Sequence, residues 1–419
     1  MPESKNLSSE IKKQLPDELV EFLRLAGELA QRRGQKLYLV GGVVRDLLLE
    51  RENFDLDLVV EGDAIALAGE LADEKKCRLV THQRFGTAKL AWDGGSADLA
   101  TARSETYAQA CALPTVNPST IRDDLLRRDF TINAMAVALT PDIYGQLLDL
   151  YGGMSDLQGK LVRVLHEKSF IDDATRIWRA IRYEQRLSFH LESGTLELVK
   201  RDVGYLKEVS GDRIRHELEL ILKEEFPEKA LCRADELGVL SKLHPKLQAD
   251  WLSEKYEQAR RWSSPENPSS GLYLALLVYR MGSKDVGEFI SCLSLRKATS
   301  RILLDTIDLK AKLGHLASPQ ITSGQVYTRL AGCAIEAVVA NVIAAGMPSA
   351  VPRLTEFIEK LRYIRPVLNG EDLKKLGVAQ GPEIKEILQR LLEARLDGKA
   401  ATRRDEEALV LNWLAGKGA

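Results

Sequence analysis

The stretch YLVGGVVRDLLLERENFDLDLVVEGD, residues 38–63, constrains the fold more than any other part of the 419-residue chain. A short apolar run at 37–40 ends at Gly41-Gly42, residues 43–49 have helical spacing, and a second apolar run carries Asp55-Leu56-Asp57-Leu58-Val59-Val60. Side chains alternate faces along a strand, so Asp55 and Asp57 point one way while Leu56 and Leu58 point the other. One face is therefore core. The other holds two neighbouring carboxylates, which repel unless a cation sits between them. Hard oxygen ligands at that separation suit Mg²⁺, which keeps several waters and accepts phosphate oxygens beside one or two carboxylates. Gly-Gly opening a helix lets the backbone approach a phosphate, with helix-start N–H groups facing it. Taken singly, Gly-Gly is an ordinary turn and Asp-x-Asp is as often a solvated edge. Joined in this order, with Arg45 and Asp46 on the intervening helix, they form a far more specific pattern.

GG-x-x-R-D followed by D-x-D resembles the nucleotidyltransferase head of the DNA polymerase β superfamily. The form seen here is most similar to the class II group of bacterial tRNA CCA-adding enzymes and poly(A) polymerases. The rest of the chain can be read against that resemblance. Residues 7–33 have apolar positions at helical spacing, and Gly34 is a plausible stop. Residues 64–74 read as an amphipathic helix, and 78–81, 87–92 and 97–101 as strands, the last two joined by Asp93-Gly94-Gly95. The expected fold class is α+β: a polymerase-β-like head with a mixed sheet of about five strands, followed by an all-helical neck, body and tail. Asp98 lies in the third of those strands. The resemblance makes it a third catalytic carboxylate beside Asp55 and Asp57; a capping or turn aspartate is the other reading.

Residues 104–122 lack periodicity and read as a loop, long enough to suggest function rather than connection. In the resembling enzymes a mobile loop here helps switch nucleotide choice, and it is shortened in those that add only two cytidines. RRDFTINAMA, residues 127–136, follows. By spacing alone its charges are a solvated ion pair. The resemblance implies that Arg127 and Arg128 contact the nucleotide and that Asp129 bonds the ribose hydroxyls. Residues 149–157 are turn-rich and resemble the hinge between head and neck, and beyond about residue 169 the pattern is almost entirely helical.

In SFIDDATRIWRAIRYEQRLSF, residues 169–189, Asp173, Arg176 and Arg179 share about a third of the circumference of one helix. Spacing alone describes a solvated charged face. The segment also resembles the E-D-x-x-R motif, in which Asp173 and Arg176 would read the Watson–Crick edge of the incoming base, with Arg179 and Arg182 nearby. A carboxylate accepts from an exocyclic amine and a guanidinium donates in a fixed fork, which suits ATP and CTP. One departure is Asp172, where the family motif usually has Glu. SGDRIRHELELIL, residues 210–222, resembles a further motif that buttresses this helix. In the tail, Gly381-Pro382 opens a helix and reads either as a phosphate seat or as an ordinary corner.

Composition narrows the setting. Five cysteines without CxxC spacing read as free thiols in a reducing compartment. No apolar run is long enough to span a membrane, and the first residues lack the apolar core of a signal peptide. A cytoplasmic location is expected, with no membrane and no obligate protein partner. A net charge of −2 argues mildly against a nucleic-acid substrate, so RNA would have to meet local basic surface.

The reading that follows is a template-independent nucleotidyltransferase building the 3′-terminal CCA of tRNA from CTP and ATP. Two Mg²⁺ ions would be held by Asp55 and Asp57, and Gly41, Gly42 and Arg45 would cradle the triphosphate. Its parts would be an N-terminal helix (1–34), head (35–160), neck (161–225), body (226–350) and tRNA-binding tail (351–419). The near alternatives are an enzyme adding only the terminal A and a bacterial poly(A) polymerase. Further off are a small-molecule nucleotidyltransferase and a binding protein with an inactive head.

Overall fold

The structure is a computed structural model and describes residues 5–415. The chain divides into two compact units. One holds the residues up to Glu224 together with Glu236–Lys242; the other holds Glu225–Asp235 and the residues from Leu243 onward.

In the first unit, helices α1 (Ser8–Gln14) and α2 (Asp17–Arg32) replace the single helix expected over 7–33. Pro16 has no N–H to continue α1 and instead caps α2, the position a proline tolerates. Lys36–Val40 forms β1, Gly42–Leu48 α3, Leu56–Glu61 β2 and Ala64–Lys75 α4. The strands Arg78–His82 (β3), Thr87–Trp92 (β4) and Gly95–Thr101 (β5) follow. Residues 104–122 are not a plain loop. They contain the hairpin of β6 (Arg103–Thr106) and β7 (Thr115–Pro118), then α5 begins at Ile121 (Ile121–Leu126). Those short strands alternate no apolar residues, so hydrophobic period could not reveal them.

Met135–Ala138 (β8) and Leu147–Asp149 (β9) complete a seven-stranded sheet ordered β3-β4-β5-β2-β1-β8-β9, two strands more than expected. β8 is four buried small or apolar residues without alternation, as a strand covered on both faces should be. β2 and β5 run parallel, and every other neighbouring pair in the sheet is antiparallel. Tyr38, Val40, Val59, Ala136 and Ala138 pack with Ile121 and Leu125 under the sheet.

The helices Gly153–Gln158 (α6), Ser169–Asp172 (α7), Thr175–Leu187 (α8), Ser193–Asp202 (α9) and Gly211–Ile221 (α10) follow. The continuous helix expected over 169–189 is thus broken at Asp173, whose backbone is extended at φ −147°, ψ 98°.

The second unit is helical. One buried cluster joins Leu309, Leu313, Val326, Leu354, Phe357 and Leu396. Another joins Leu368, Leu373, Ile387, Leu391 and Val410. Among the described residues, no single helix is long and apolar enough to cross a membrane. None of the five cysteines, all of them described, forms a disulfide.

Candidate active site

The acids sit at the centre of the sheet. Parallel pairing of β2 and β5 sets Asp57 directly beside Asp98, and Asp55 precedes β2 with its N–H bonded to Asn53 Oδ1 at 3.0 Å. All three line one cavity of about 1130 Å³. Burial pushes the Asp57 carboxyl up to about 6; Arg128 pulls it down, while the charges of Asp55 and Asp98 push it further up. Asp98 is drawn toward Lys89, whose Nζ lies 3.0 Å from its Oδ2. Gly41 has φ +78°, a conformation that strains any side chain, and a Cβ there would lie 3.1 Å from Arg128 Nη1 and 3.4 Å from Asp57 Oδ2.

Beside the acids runs a buried, charge-assisted network. Arg45 forks onto Asp46 at 2.9 and 2.8 Å and donates to Asn133 Oδ1 at 2.7 Å. Asn133 donates in turn to Asp129 Oδ1 at 3.0 Å, and Arg179 forks onto Asp129 Oδ2 at 2.8 and 2.5 Å. Burial pushes the Asp129 carboxyl up, but Arg179 and the hydrogen bonds from Asn133 and Arg179 outweigh it and hold it at about 2. The GG-x-x-R-D and RRDFTIN stretches are thereby wired to α8. Tyr183 lies against three guanidinium groups, those of Arg45, Arg179 and Arg182, at 5.1, 5.8 and 4.9 Å from its ring centre.

Arg127 and Arg128 converge on Asp124, which is fully buried. Arg127 donates to Asp124 Oδ1 at 3.0 and 2.6 Å and to Glu105 Oε1 at 3.2 Å. Arg128 donates to Asp124 Oδ2 at 3.1 Å, and its buried Nε has no partner. Arg128 lines the cavity beside Gly41 and Asp57, with 17% of its side chain exposed.

Asp173 lies in the break between α7 and α8. Its Oδ1 accepts from Thr175 N–H at 3.0 Å, from Thr175 Oγ1 at 2.6 Å and from Arg213 Nη2 at 2.7 Å. Arg176 is on α8 but does not face Asp173: it donates to Ser169 Oγ at 2.8 Å and to the Arg127 carbonyl at 2.7 Å. A single helical face was therefore the wrong geometry for this pair, although both residues line the cavity. Arg182 does not line it; Arg182 is buried against Glu217 and Glu224, at 4.0 and 3.5 Å. Asp172, the departure from the usual Glu, also lies outside the lining, beside His166.

Gly41, Gly42, Arg45, Asp55, Asp57, Asp98, Arg127, Arg128, Asp129, Asp173, Arg176 and Arg179 are all brought together around the cavity. Sequence reasoning gave no role to Asp124, Asn133, Tyr183 or Arg213. Asn133 and Tyr183 lay inside stretches singled out for their charges, so their presence was visible but their partners were not.

The donor set at Asp55, Asp57 and Asp98 is all oxygen and fits a hard divalent cation. Among the described residues, one trio of metal-capable groups has its ligand atoms within 4.8 Å of one another: His244, Asp285 and Glu288, in the second unit. That trio is a poor metal site. His244 Nδ1 accepts from the Lys246 N–H at 3.2 Å, so its Nε2 carries the proton, and Lys246 Nζ already holds Asp285 at 2.8 Å.

Residues 37–163 match the poly A polymerase head domain, and residues 188–250 match the family described as "Probable RNA and SrmB- binding site of polymerase A". An A-adding tRNA nucleotidyltransferase of Halalkalibacterium halodurans is 31% identical over 96% of this chain and 94% of its own length. Another, of Geobacter sulfurreducens, is 37% identical over 95% of this chain, which spans only 47% of that longer relative. A Thermotoga maritima CCA-adding enzyme solved in complex with tRNA matches with a TM-score of 0.78 at 33% identity, covering 99% of this chain and 100% of that one. Fold and site together define a polymerase-type nucleotidyltransferase. The chain belongs to the tRNA nucleotidyltransferase and poly(A) polymerase family.

Proposed function

We propose that this chain builds or repairs the 3′-terminal CCA of tRNA from CTP and ATP. The observation that carries the proposal is the register pairing Asp57 with Asp98, which sets an acidic centre against the arginine-rich wall of one cavity. Asp55 and Asp57, with Asp98, would hold two Mg²⁺ ions, which when bound supply charge for activating the terminal 3′-hydroxyl and for the pyrophosphate leaving group. Arg128, which lines the cavity, and the Gly41-Gly42 turn receive the triphosphate. Arg127 and Arg45 support that wall from their carboxylate partners. Asp129 faces the ribose from the network that fixes it. Asp173 and Arg176 face the base. The reaction is positioning and charge neutralisation, so no protein nucleophile is needed.

Within this reading residues 35–160 act as head, 161–225 as neck, 226–350 as body and 351–419 as the tail that holds tRNA. Gly381, at φ +142°, and Pro382 open the tail helix Pro382–Leu396. A second reading, addition of the terminal A alone, is favoured by the names of the two relatives above.

Asp57→Asn is expected to abolish transfer of labelled AMP to tRNA while leaving the unfolding transition in place, because it removes one of three like charges. Undiminished transfer by this variant would overturn the assignment of the acidic centre.

A further inference from the structure

One flank of the cavity has no role in the account so far. The turn after β1 and Arg128 beside it lie on one side of the acid-bearing strands β2 and β5; β4 and β3 lie on the other. From that second flank His82, Thr87 and Lys89 line the same cavity. Between His82 and Thr87 runs a tight turn, Gln83–Phe85 followed by Gly86 at φ +57°. The Gly86 carbonyl accepts from Thr101 N–H at 3.0 Å, which fixes the turn to the end of β5. At its apex the Phe85 side chain is 46% exposed, with the Arg84 guanidinium 5.5 Å from its ring centre.

A lone exposed phenylalanine means little. This one lies in the turn between His82 and Thr87, two residues that line the cavity, with the Arg84 guanidinium beside its ring. Aromatic rings and guanidinium planes on a basic rim are what single-stranded nucleic acid stacks upon.

We propose that the β3–β4 turn is the seat of the 3′-terminal nucleotide of the RNA acceptor, an inference that rests on the functional reading above. In the transfer, the acceptor 3′-oxygen bonds to the α-phosphorus of the incoming nucleotide. The bond from that phosphorus to the bridging oxygen breaks, pyrophosphate leaves with the electron pair, and the hydroxyl proton passes to water. Attacking and leaving oxygens lie roughly in line on opposite sides of the phosphorus. With the triphosphate on the β1 flank, the acceptor must approach the acids from the β4 flank. There Phe85 and Arg84 stack its terminal base, while His82 and Lys89 face its last phosphate.

The test uses the full chain and a tRNA acceptor hairpin whose terminal nucleotide is 2-aminopurine riboside. Stacking quenches this fluorophore, whereas RNA held elsewhere leaves it bright. Binding to the wild-type protein should quench it, and Phe85→Ala and Arg84→Ala should each lose the quench. Phe85→Ala should also raise KM for the RNA by about tenfold, the scale of one base–aromatic stack, with KM for ATP unchanged; Phe85→Trp should restore both. RNA bound by the wild type without quenching, or quenched equally by Phe85→Ala, would overturn the seat and leave the functional reading standing. A wild-type protein that binds no RNA and transfers no nucleotide would overturn both.

Discussion

Asp129 shows how a single side chain serves the site through its partners. It is 6% exposed, and its oxygens accept from Phe130 N–H, from Asn133 and from the fork of Arg179, while the residue still lines the cavity. Removing one member of a buried pair costs more than the pair contributes, because the other charge is stranded. Asp129→Asn is therefore expected to destabilise the protein by about 3 kcal/mol at neutral pH, measured by urea unfolding. The folded carboxyl, at about 2, lies below its ordinary value of 3.8. Its contribution is thus present above the ordinary value and lost as pH falls from 3.8 toward 2. The gap between wild type and variant should narrow between pH 7 and pH 3. A gap that stays constant would mean that Asp129 is not held as an ion pair. The motif RRDFTIN made this carboxylate legible in the sequence. That it is wired to Arg45 through Asn133 was not, because that link crosses 88 residues and depends on strand order.

At the scale of elements, the break between α7 and α8 does more than a continuous helix could. It gives Asp173 an extended backbone at the end of α7 and lets Thr175 and Arg213 fix one carboxylate oxygen. Arg213 also donates to the Cys111 carbonyl at 3.1 Å, and Cys111 N–H bonds the Ile171 carbonyl at 3.0 Å. The segment linking β6 to β7 is thereby sewn to the segment proposed to read the base. Arg213→Ala should free both, and selection of CTP and ATP over UTP and GTP should fall by about tenfold or more, the scale of one directional base contact. Arg213→Lys should recover part of it, and misincorporation assays with single nucleotides measure both. Unchanged selectivity in Arg213→Ala would remove the clamp from the mechanism.

These elements also show what sequence pattern can and cannot deliver. Apolar or alternating runs located β1 to β5, from β1, buried from Leu37 onward, to the half-exposed β3. The hairpin of β6 and β7 went unread because its residues are polar on both faces. The break at Asp173 was hidden because the flanking apolar residues keep helical spacing across it.

Across the whole molecule, a net charge of −2 coexists with one cavity lined by both arginines and carboxylates. Charge is sorted locally rather than globally, so composition could exclude a nucleic-acid ligand only weakly. In the second unit Glu406, fully buried, accepts from the N–H groups of Val367 and Leu368 at 3.0 and 2.8 Å and from Arg395 at 2.9 Å. The central claim is that this fold adds defined nucleotides to tRNA, and the product itself tests it. Purified protein would be incubated with tRNA ending at the discriminator base, at the first C or at the second C, each with one labelled nucleotide. The account predicts two cytidines on the first substrate, one on the second, and a single adenosine on the third. Adenosine on the third without cytidine on the first would contradict full CCA synthesis in favour of A addition, and long adenosine runs or no incorporation would contradict tRNA end-building altogether.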